Sequence, residues 1–353
     1  MCGLCGEIQY GNDTVNGASI QAMTAKMRAR GPDAGGIFVQ DGLGFGHRRL
    51  SILDLSPASQ QPLVDPELGL GIAFNGCIYN FRELRQELTG RGYRFFSQGD
   101  TEVILKAYHA WGPRCVERFF GMFAFAIWER DSGRVVLARD RLGKKPLYFT
   151  QQNDRLLFAS ELKCFAQVPG FKPEIDPGAI DEFLTYQYIP HPGTIWKGVH
   201  KLSPGHFATF RNGQLRVQRY WNYDPTYEAP LSRADAIEKV RELLEDSVRI
   251  RLQSDVPLGA FLSGGIDSSL IVALAQRNLN RPIRTFSIGF PDKDYDETGY
   301  AAEVARFLGT DHTRFEVAPD GVAIIDKLVW HYDEPFGDSS AVPTWYLSPL
   351  TRG

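Results

Sequence analysis

Two kinds of hydrophobic patterning divide the chain. Through its first half, apolar residues come in short runs, at 71–74, 134–138, 146–149 and 155–159. Asn75-Gly76, Asp131-Ser132-Gly133 and Asn153-Asp154 punctuate them. Runs of that length between turn-forming residues predict strands. Helical spacing interrupts them: Asp100 is placed to cap a helix over 101–111, with Val103, Ile104, Ala107 and Tyr108 on one stripe. The mixture predicts an α+β domain with antiparallel sheets. A stretch at 220–230, with Pro225 and Pro230 and no period, ends this pattern. Beyond it, Ser232-Arg233-Ala234-Asp235 opens a helix with Ile237, Val240, Leu244 and Val248 on one face. A strand at 256–262, a Gly-rich turn, an apolar helix at 266–275, a strand at 284–290 and a helix at 298–308 follow. That alternation predicts a parallel sheet with helices on its faces. The expected domains are 1–205 and 231–353, with a linker over 206–230.

Composition narrows the class. A chain of 353 residues with 43% hydrophobic content has the length for about two packed domains and is not a disordered polymer. Its 39 Lys+Arg against 42 Asp+Glu leave a net charge of −3, without the basic excess of a nucleic-acid binder. The apolar run 122–128 is far short of the ~20 residues a membrane-spanning helix needs. The N-terminus lacks the basic and apolar segments of a signal peptide. Five scattered cysteines do not make a disulfide framework. The expectation is a cytoplasmic protein with free thiols and neither nucleic-acid nor membrane partners.

Cys2 stands directly behind the initiator methionine. Trimming of Met1 would leave a thiol and a free α-amine in one residue, and an amine of pKa about 7.7–8.0 can take the thiol proton near neutrality. Taken alone, the position also suits an ordinary cysteine. The Cys2-x-x-Cys5 spacing lacks the second Cys/His pair that a metal site needs.

The neighbours decide between these readings. Arg30-Gly31-Pro32-Asp33, His47-Arg48-Arg49-Leu50-Ser51-Ile52, Asn75-Gly76-Cys77-Ile78-Tyr79-Asn80 and Gly99-Asp100-Thr101-Glu102 follow in order. With Met1-Cys2-Gly3, Arg139-Asp140-Arg141-Leu142-Gly143 and Ala159-Ser160-Glu161-Leu162-Lys163, they resemble the class II glutamine amidotransferase domain over about residues 1–190. The resemblance implies an N-terminal-nucleophile hydrolase sandwich, with antiparallel sheets inside and helices outside. It implies Cys2 as the nucleophile on the glutamine side-chain amide, with the Asn75 side chain and Gly76 N–H as oxyanion donors. It implies substrate contacts from Arg49, Leu50, Ser51, Ile52, Leu53, Cys77 and Asp100: Arg49 for the α-carboxylate, Asp100 for the α-ammonium. Cys77 departs from the family glutamate, so weaker glutamine binding is expected.

A second signal is Leu262-Ser263-Gly264-Gly265-Ile266-Asp267-Ser268-Ser269, between the apolar strand and the apolar helix. Hydroxyls and N–H groups beside a helix N-terminus make an anion cradle. The Gly-Lys-Ser/Thr of the common nucleoside-triphosphatase loop is missing. The run resembles the pyrophosphate loop of the ATP pyrophosphatases. That implies Ser263, Gly264, Gly265 and Ser268 around pyrophosphate, Asp267 on Mg²⁺, and Leu262 and Ile288 against adenosine. The acidic run 292–297 is expected as a solvated loop.

With Ser254-Asp255-Val256-Pro257 and Asp333-Glu334-Pro335-Phe336, the two halves together resemble the glutamine-dependent asparagine synthetases. The resemblance implies ATP and Mg²⁺ as cofactors and glutamine and aspartate as substrates. Ammonia released at Cys2 would attack an adenylated aspartate side chain to give asparagine, AMP and pyrophosphate. A homodimer is among the expected assemblies. The family continues with a further Gly/Asp/Glu-rich segment, so the chain is expected to be C-terminally truncated and its second domain, an α/β ATP-pyrophosphatase fold, incomplete. Amidation of another carboxylate (a peptide or a cell-surface sugar precursor), a glutaminase alone, and a non-catalytic fragment stay open.

Overall fold

The computed structural model describes residues 1–10, 14–152, 155–293 and 296–351. Asn153 and Asp154 of one expected turn, and Asp294 and Tyr295 of the acidic run, lie outside the described residues. The chain forms two compact units, Met1–Pro225 with Asp333–Pro335, and Thr226–Tyr332 with Phe336–Gly353.

The strands of the first unit are β1 (Gly3–Gln9), β2 (Ala34–Gln40), β3 (Leu43–Arg49), β4 (Leu63–Asp65), β5 (Leu70–Ile78), β6 (Gly121–Glu129), β7 (Val135–Arg139), β8 (Tyr148–Gln152), β9 (Arg155–Ala159), β10 (His200–Lys201), β11 (His206–Arg211) and β12 (Gln214–Arg219). Among the described residues they build two six-stranded sheets, ordered β10-β8-β9-β1-β3-β2 and β12-β11-β7-β6-β5-β4. Neighbouring strands in them pair antiparallel.

Side-chain alternation stacks these sheets between helices. Ile72 and Phe74 of β5, with Phe123, Phe125 and Ile127 of β6, pack with Leu84 and Leu88 of α2 (Phe81–Gly90) and Val103 and Ala107 of α3 (Asp100–Trp111). The alternate residues Ala73, Ala124, Ala126 and Trp128 instead meet Leu4, Ile8, Leu43 and Phe45 of the other sheet. Beyond that sheet, Cys5, Leu157 and Ala159 pack with Ile20 and Met23 of α1 (Gly17–Lys26). The layers run helix, sheet, sheet, helix, the sandwich expected of an N-terminal-nucleophile hydrolase. Burial of β6 on both faces explains why 122–128 is apolar without alternation.

Three local expectations are corrected. Asn75-Gly76 is no turn: both lie inside β5, opposite Ala124 and Phe123 of β6. A Cβ at Gly76 would sit 2.2 Å from the Met122 carbonyl oxygen, so the glycine answers to strand packing. Asp100 is the first residue of α3 rather than its cap. Residues 206–219, expected in the linker, form a hairpin paired to β7. Phe207, Ala208 and Phe210 fill the cores on both faces of that sheet, so the first unit runs on to Pro225. The hairpin signal was Asn212-Gly213, both at positive φ (51° and 72°).

The second unit holds β13 (Gly259–Phe261), β14 (Arg284–Gly289) and β15 (Asp311–Glu316), parallel and in that order. After α4 (Pro177–Tyr186) of the first unit, its helices are α5 (Arg233–Arg251), α6 (Ile266–Arg277), α7 (Thr298–Leu308), α8 (Gly321–Tyr332) and α9 (Ala341–Leu350). Ser232 Oγ accepts from the Asp235 N–H at 3.2 Å, the cap its sequence predicts, and its hydroxyl, rather than its backbone N–H, donates to the Asp235 carboxylate at 2.7 Å. On α5 only the distal half of the apolar stripe is covered: Val248 and Leu244 pack in the core, whereas Ile237 and Val240 are exposed. β13 is shorter than the 256–262 run, because Pro257 has no N–H for a ladder. Among the described residues, no helix is long and apolar enough to cross a membrane.

Candidate active site

Cys2 precedes β1 by one residue, and its half-buried thiol meets the backbone at the end of β3. The Leu50 N–H donates to Sγ at 3.4 Å, and Sγ donates back to the Leu50 carbonyl at 3.7 Å. Burial raises the thiol pKa. The Leu50 N–H, the chain's amino terminus and Arg49 pull it back down, and the Asp100 carboxylate opposes them. At rest the sulfur is a thiol and needs a base. The Arg30 guanidinium fixes the main chain there, donating from Nε to the Cys2 carbonyl at 2.9 Å.

Asn75 projects from β5 on the face that carries Ala73, toward the opposite sheet. It is 1% exposed, and its Nδ2 has no hydrogen-bond partner among the described residues. A buried amide donor without an acceptor is costly unless something arrives to take it. Cys77, two residues along β5, shares this face. Two other groups hold the strand. His47, fully buried, bonds through Nε2 to the Phe74 carbonyl at 2.9 Å, and burial lowers its pKa to about 4, so the ring is neutral. Gln61 accepts the Phe74 N–H at 2.7 Å.

Asp100 is 6% exposed and accepts the Ile78 N–H at 2.9 Å, which ties the start of α3 to the end of β5. Burial pushes its carboxyl from an ordinary 3.8 to about 6, against the pull of the Ile78, Asp100 and Thr101 amides and of Arg49. Arg49, equally buried, donates to the carbonyls of Ser56 at 3.3 Å, Leu53 at 3.2 Å and Asp54. Its fork therefore shapes the loop after β3. It has no carboxylate ion pair among the described residues, which leaves its charge available to an anion. Ser51 donates its N–H to Asp33 at 2.8 Å, and Ile52 is exposed at the loop tip.

Some supports carry no motif of their own. Asp54 accepts the Gln98 N–H at 2.7 Å and the Ser59 hydroxyl at 2.5 Å, joining the 53–59 loop to the approach to α3. Glu102 accepts the Ser97 N–H and hydroxyl at 2.7 Å each and pairs with Lys106 at 2.7 Å. Glu102 belongs to the Gly99–Glu102 motif, yet only the fold shows what its carboxylate holds. Lys145, buried beside Met1, carries no sequence signal that singles it out.

The Gly-rich loop of the second unit is built differently. Ser263 Oγ and Ser268 Oγ lie 3.0 Å apart, and Gly265 N–H donates to Ser263 Oγ at 3.3 Å. Gly265 caps α6, and Asp267 lies exposed in the first helical turn. Gly264 has φ +84°, and a Cβ there would sit 2.6 Å from Tyr300 Cβ of α7. Its conformation and packing both demand glycine. At Gly265 a Cβ meets only Ser263 Oγ, at 3.4 Å. Leu262 is buried in the core of the unit, and its main chain borders the loop. Ile288 lies on β14, half-buried. No group of three or more His, Cys, Asp or Glu that could hold a metal occurs among the described residues. A phosphate-bound Mg²⁺ takes only one or two carboxylates from the protein, and Asp267 fits that demand.

Residues 1–221 match the family described as Glutamine amidotransferase domain, and residues 239–353 the family Asparagine synthase. Asparagine synthetase [glutamine-hydrolyzing] 1 of Bacillus subtilis is 38% identical over 335 residues, covering 93% of this chain and 52% of that one. The putative asparagine synthetase [glutamine-hydrolyzing] 2 of Methanocaldococcus jannaschii is 37% identical over 376 residues, covering 100% and 72%. A putative asparagine synthetase [glutamine-hydrolyzing] of Mycobacterium tuberculosis is 38% identical over 378 residues, covering 100% and 57%. The chain thus spans between about half and under three-quarters of the length of these relatives. It belongs to the family of glutamine-hydrolysing asparagine synthetases and opens with a glutamine amidotransferase domain.

Proposed function

We propose that this chain hydrolyses glutamine at Cys2 and serves glutamine-dependent asparagine synthesis. The observation that carries the hydrolytic half is the buried Asn75 amide with no acceptor, facing inward from β5. With Met1 removed, the Cys2 α-amine takes the thiol proton. The sulfur attacks the glutamine side-chain carbonyl carbon. The developing oxyanion receives hydrogen bonds from Asn75 Nδ2 and the Gly76 N–H. Collapse breaks the C–N bond, the α-amine passes its proton to the departing nitrogen, and ammonia leaves. Water then opens the thioester to glutamate. Arg49 binds the substrate α-carboxylate and Asp100 its α-ammonium.

In the second unit, Ser263, Gly265, Ser268 and the N-terminus of α6 would hold the pyrophosphate of ATP, and Asp267 its Mg²⁺. ATP supplies activation of the aspartate side-chain carboxylate as an acyl-adenylate, and ammonia displaces AMP to give asparagine. A cytoplasmic setting, which keeps Cys2 reduced, completes the proposal.

Intact mass should show loss of Met1, and an electrophilic glutamine analogue should label Cys2 once. Cys2→Ala should abolish glutamate release and glutamine-dependent asparagine formation while sparing any ammonia-dependent amidation. A chain that keeps Met1 and is not labelled would overturn the reading. Assay with glutamine, Mg·ATP and a series of carboxylic acids identifies the acceptor.

A further inference from the structure

Lys145 is 5% exposed, and its Nζ lies 3.1 Å from the sulfur of Met1. It forms no ion pair with a carboxylate among the described residues. A nearby acid, Asp140, is committed elsewhere: its carboxylate accepts the N–H groups of Leu142, Lys144 and Lys145 at 3.0–3.1 Å and that of Phe123 at 3.1 Å. The main chain at Lys145 is pinned from the other side by Arg139 Nε, which donates to its carbonyl at 2.8 Å. The main chain of Lys145 is thus fixed, and its buried ammonium lies next to the start of the chain with no carboxylate partner among the described residues. Such an arrangement is unfavourable in itself. Removal of Met1 takes away its thioether neighbour and turns the Cys2 amide nitrogen into an amine.

We propose that Lys145 is a positioning residue for the nucleophile, its ammonium keeping the Cys2 α-amine of the mature chain uncharged and therefore able to accept the thiol proton. The proposal rests on the glutamine-hydrolysis reading above. The transfer balances: the S–H proton moves to the amine nitrogen, giving thiolate and ammonium, and the same proton later leaves on ammonia. Other charges face this corner. Arg30 acts on the amine in the same sense as Lys145 and more strongly, but it is ion-paired with Glu161 at 3.5 Å, whereas Lys145 has no such partner among the described residues. Asp33 acts on the amine in the opposite sense. Asp100 and Arg49 act on the thiol. Lys145 itself feels Arg30, Cys2, Asp140 and Cys77. In the untrimmed chain, burial, Arg30 and Lys145 together bring the Met1 amine from 8.0 to about 6, against the opposite pull of Cys2 and Asp33.

The test compares mature wild type with Lys145→Met, Lys145→Gln and Lys145→Arg. Two readouts are followed against pH: acylation of the Cys2 α-amine by a dilute reagent, and kcat/KM for glutamine. Loss of the charge should move the amine midpoint and the acidic limb of kcat/KM upward together by about one pH unit, a ~tenfold loss at pH 6. Lys145→Arg should restore both. Lys145→Gln serves if Lys145→Met does not fold. An unchanged amine midpoint in a folded variant, or an even loss of kcat/KM across pH, would overturn the inference. Failure of the parent reading looks different: wild type would release no glutamate at any pH, whatever the amine titration shows.

Discussion

At Cys2, the polar groups come from distant parts of the chain and are buried. Asn75 is 1% exposed, Arg49 and Asp100 6% each, and the bonds that hold them bridge up to several tens of residues. At the Gly-rich loop, the hydroxyls and amides come from six consecutive residues and stand largely open to solvent. The first site is built by tertiary structure and has a preset electrostatic field, visible in the shifted Asp100 and His47. The second is a local turn at a helix N-terminus, where backbone dipoles that need no partner elsewhere would draw an anion. A substitution in the first site should therefore change chemistry and stability together, while the two properties are separable in the second.

The largest effect should come from the unpartnered amide. Asn75→Ala should lower kcat for glutamine hydrolysis by ~10²–10³-fold with little change in KM, because the donor acts on the oxyanion. A change in KM alone would place Asn75 in ground-state binding instead.

Asp100→Asn should raise KM for glutamine by ~10-fold or more as the anion is lost. The same variant should be more stable than wild type at pH 7.5. The folded carboxyl titrates near 6 and the unfolded one near 3.8, so the penalty for burying the charge is absent below about pH 4 and complete above about pH 6. Removing it is worth up to ~3 kcal/mol. Thermal melts at pH 4 and 7.5 check the sign: the difference between variant and wild type should appear only at the higher pH.

The glycines of the loop test the separation. Gly264→Ala should destabilise the second unit by ~1–3 kcal/mol, through its positive φ and its overlap with Tyr300. Gly265→Ala, with room for a Cβ, should leave the melting temperature unchanged and weaken ATP binding several-fold, seen by titration calorimetry. Neither should alter glutaminase activity. Equal destabilisation by both would show that the loop is as tightly built as the Cys2 site.

The smallest effect concerns the family departure. Cys77→Glu should lower KM for glutamine a few-fold at constant kcat, since the position shares the Asn75 face but donates nothing to the oxyanion. An unchanged KM would remove Cys77 from the substrate's surroundings.

Much is legible along the chain wherever the signal is local. The helix at 298–308, the strand at 155–159 and the Ser232–Asp235 cap lie where periodicity and capping chemistry put them. Local reading fails where pairing outranks local preference. Asn75-Gly76 has the composition of a turn, but its pairing to β6 and the close approach of Phe74 and Phe123 leave it only a strand conformation. The hairpin 206–219 reads as part of a linker because its partner, β7, lies some seventy residues earlier.

The sequence by itself determined which chemistry is carried: a thiol behind the initiator methionine, an ordered set of polar motifs, and a serine- and glycine-rich turn between strand and helix. Only the tertiary structure decided which of those groups are buried, which lack partners and which are spent on holding loops. Among the described residues, it left the Asn75 amide unsatisfied, raised Asp100, tied the Arg49 fork to carbonyls and set a lysine with no carboxylate partner beside Met1. The reason is physical: desolvation and electrostatic fields depend on distances in space, and a linear sequence specifies those only through the fold.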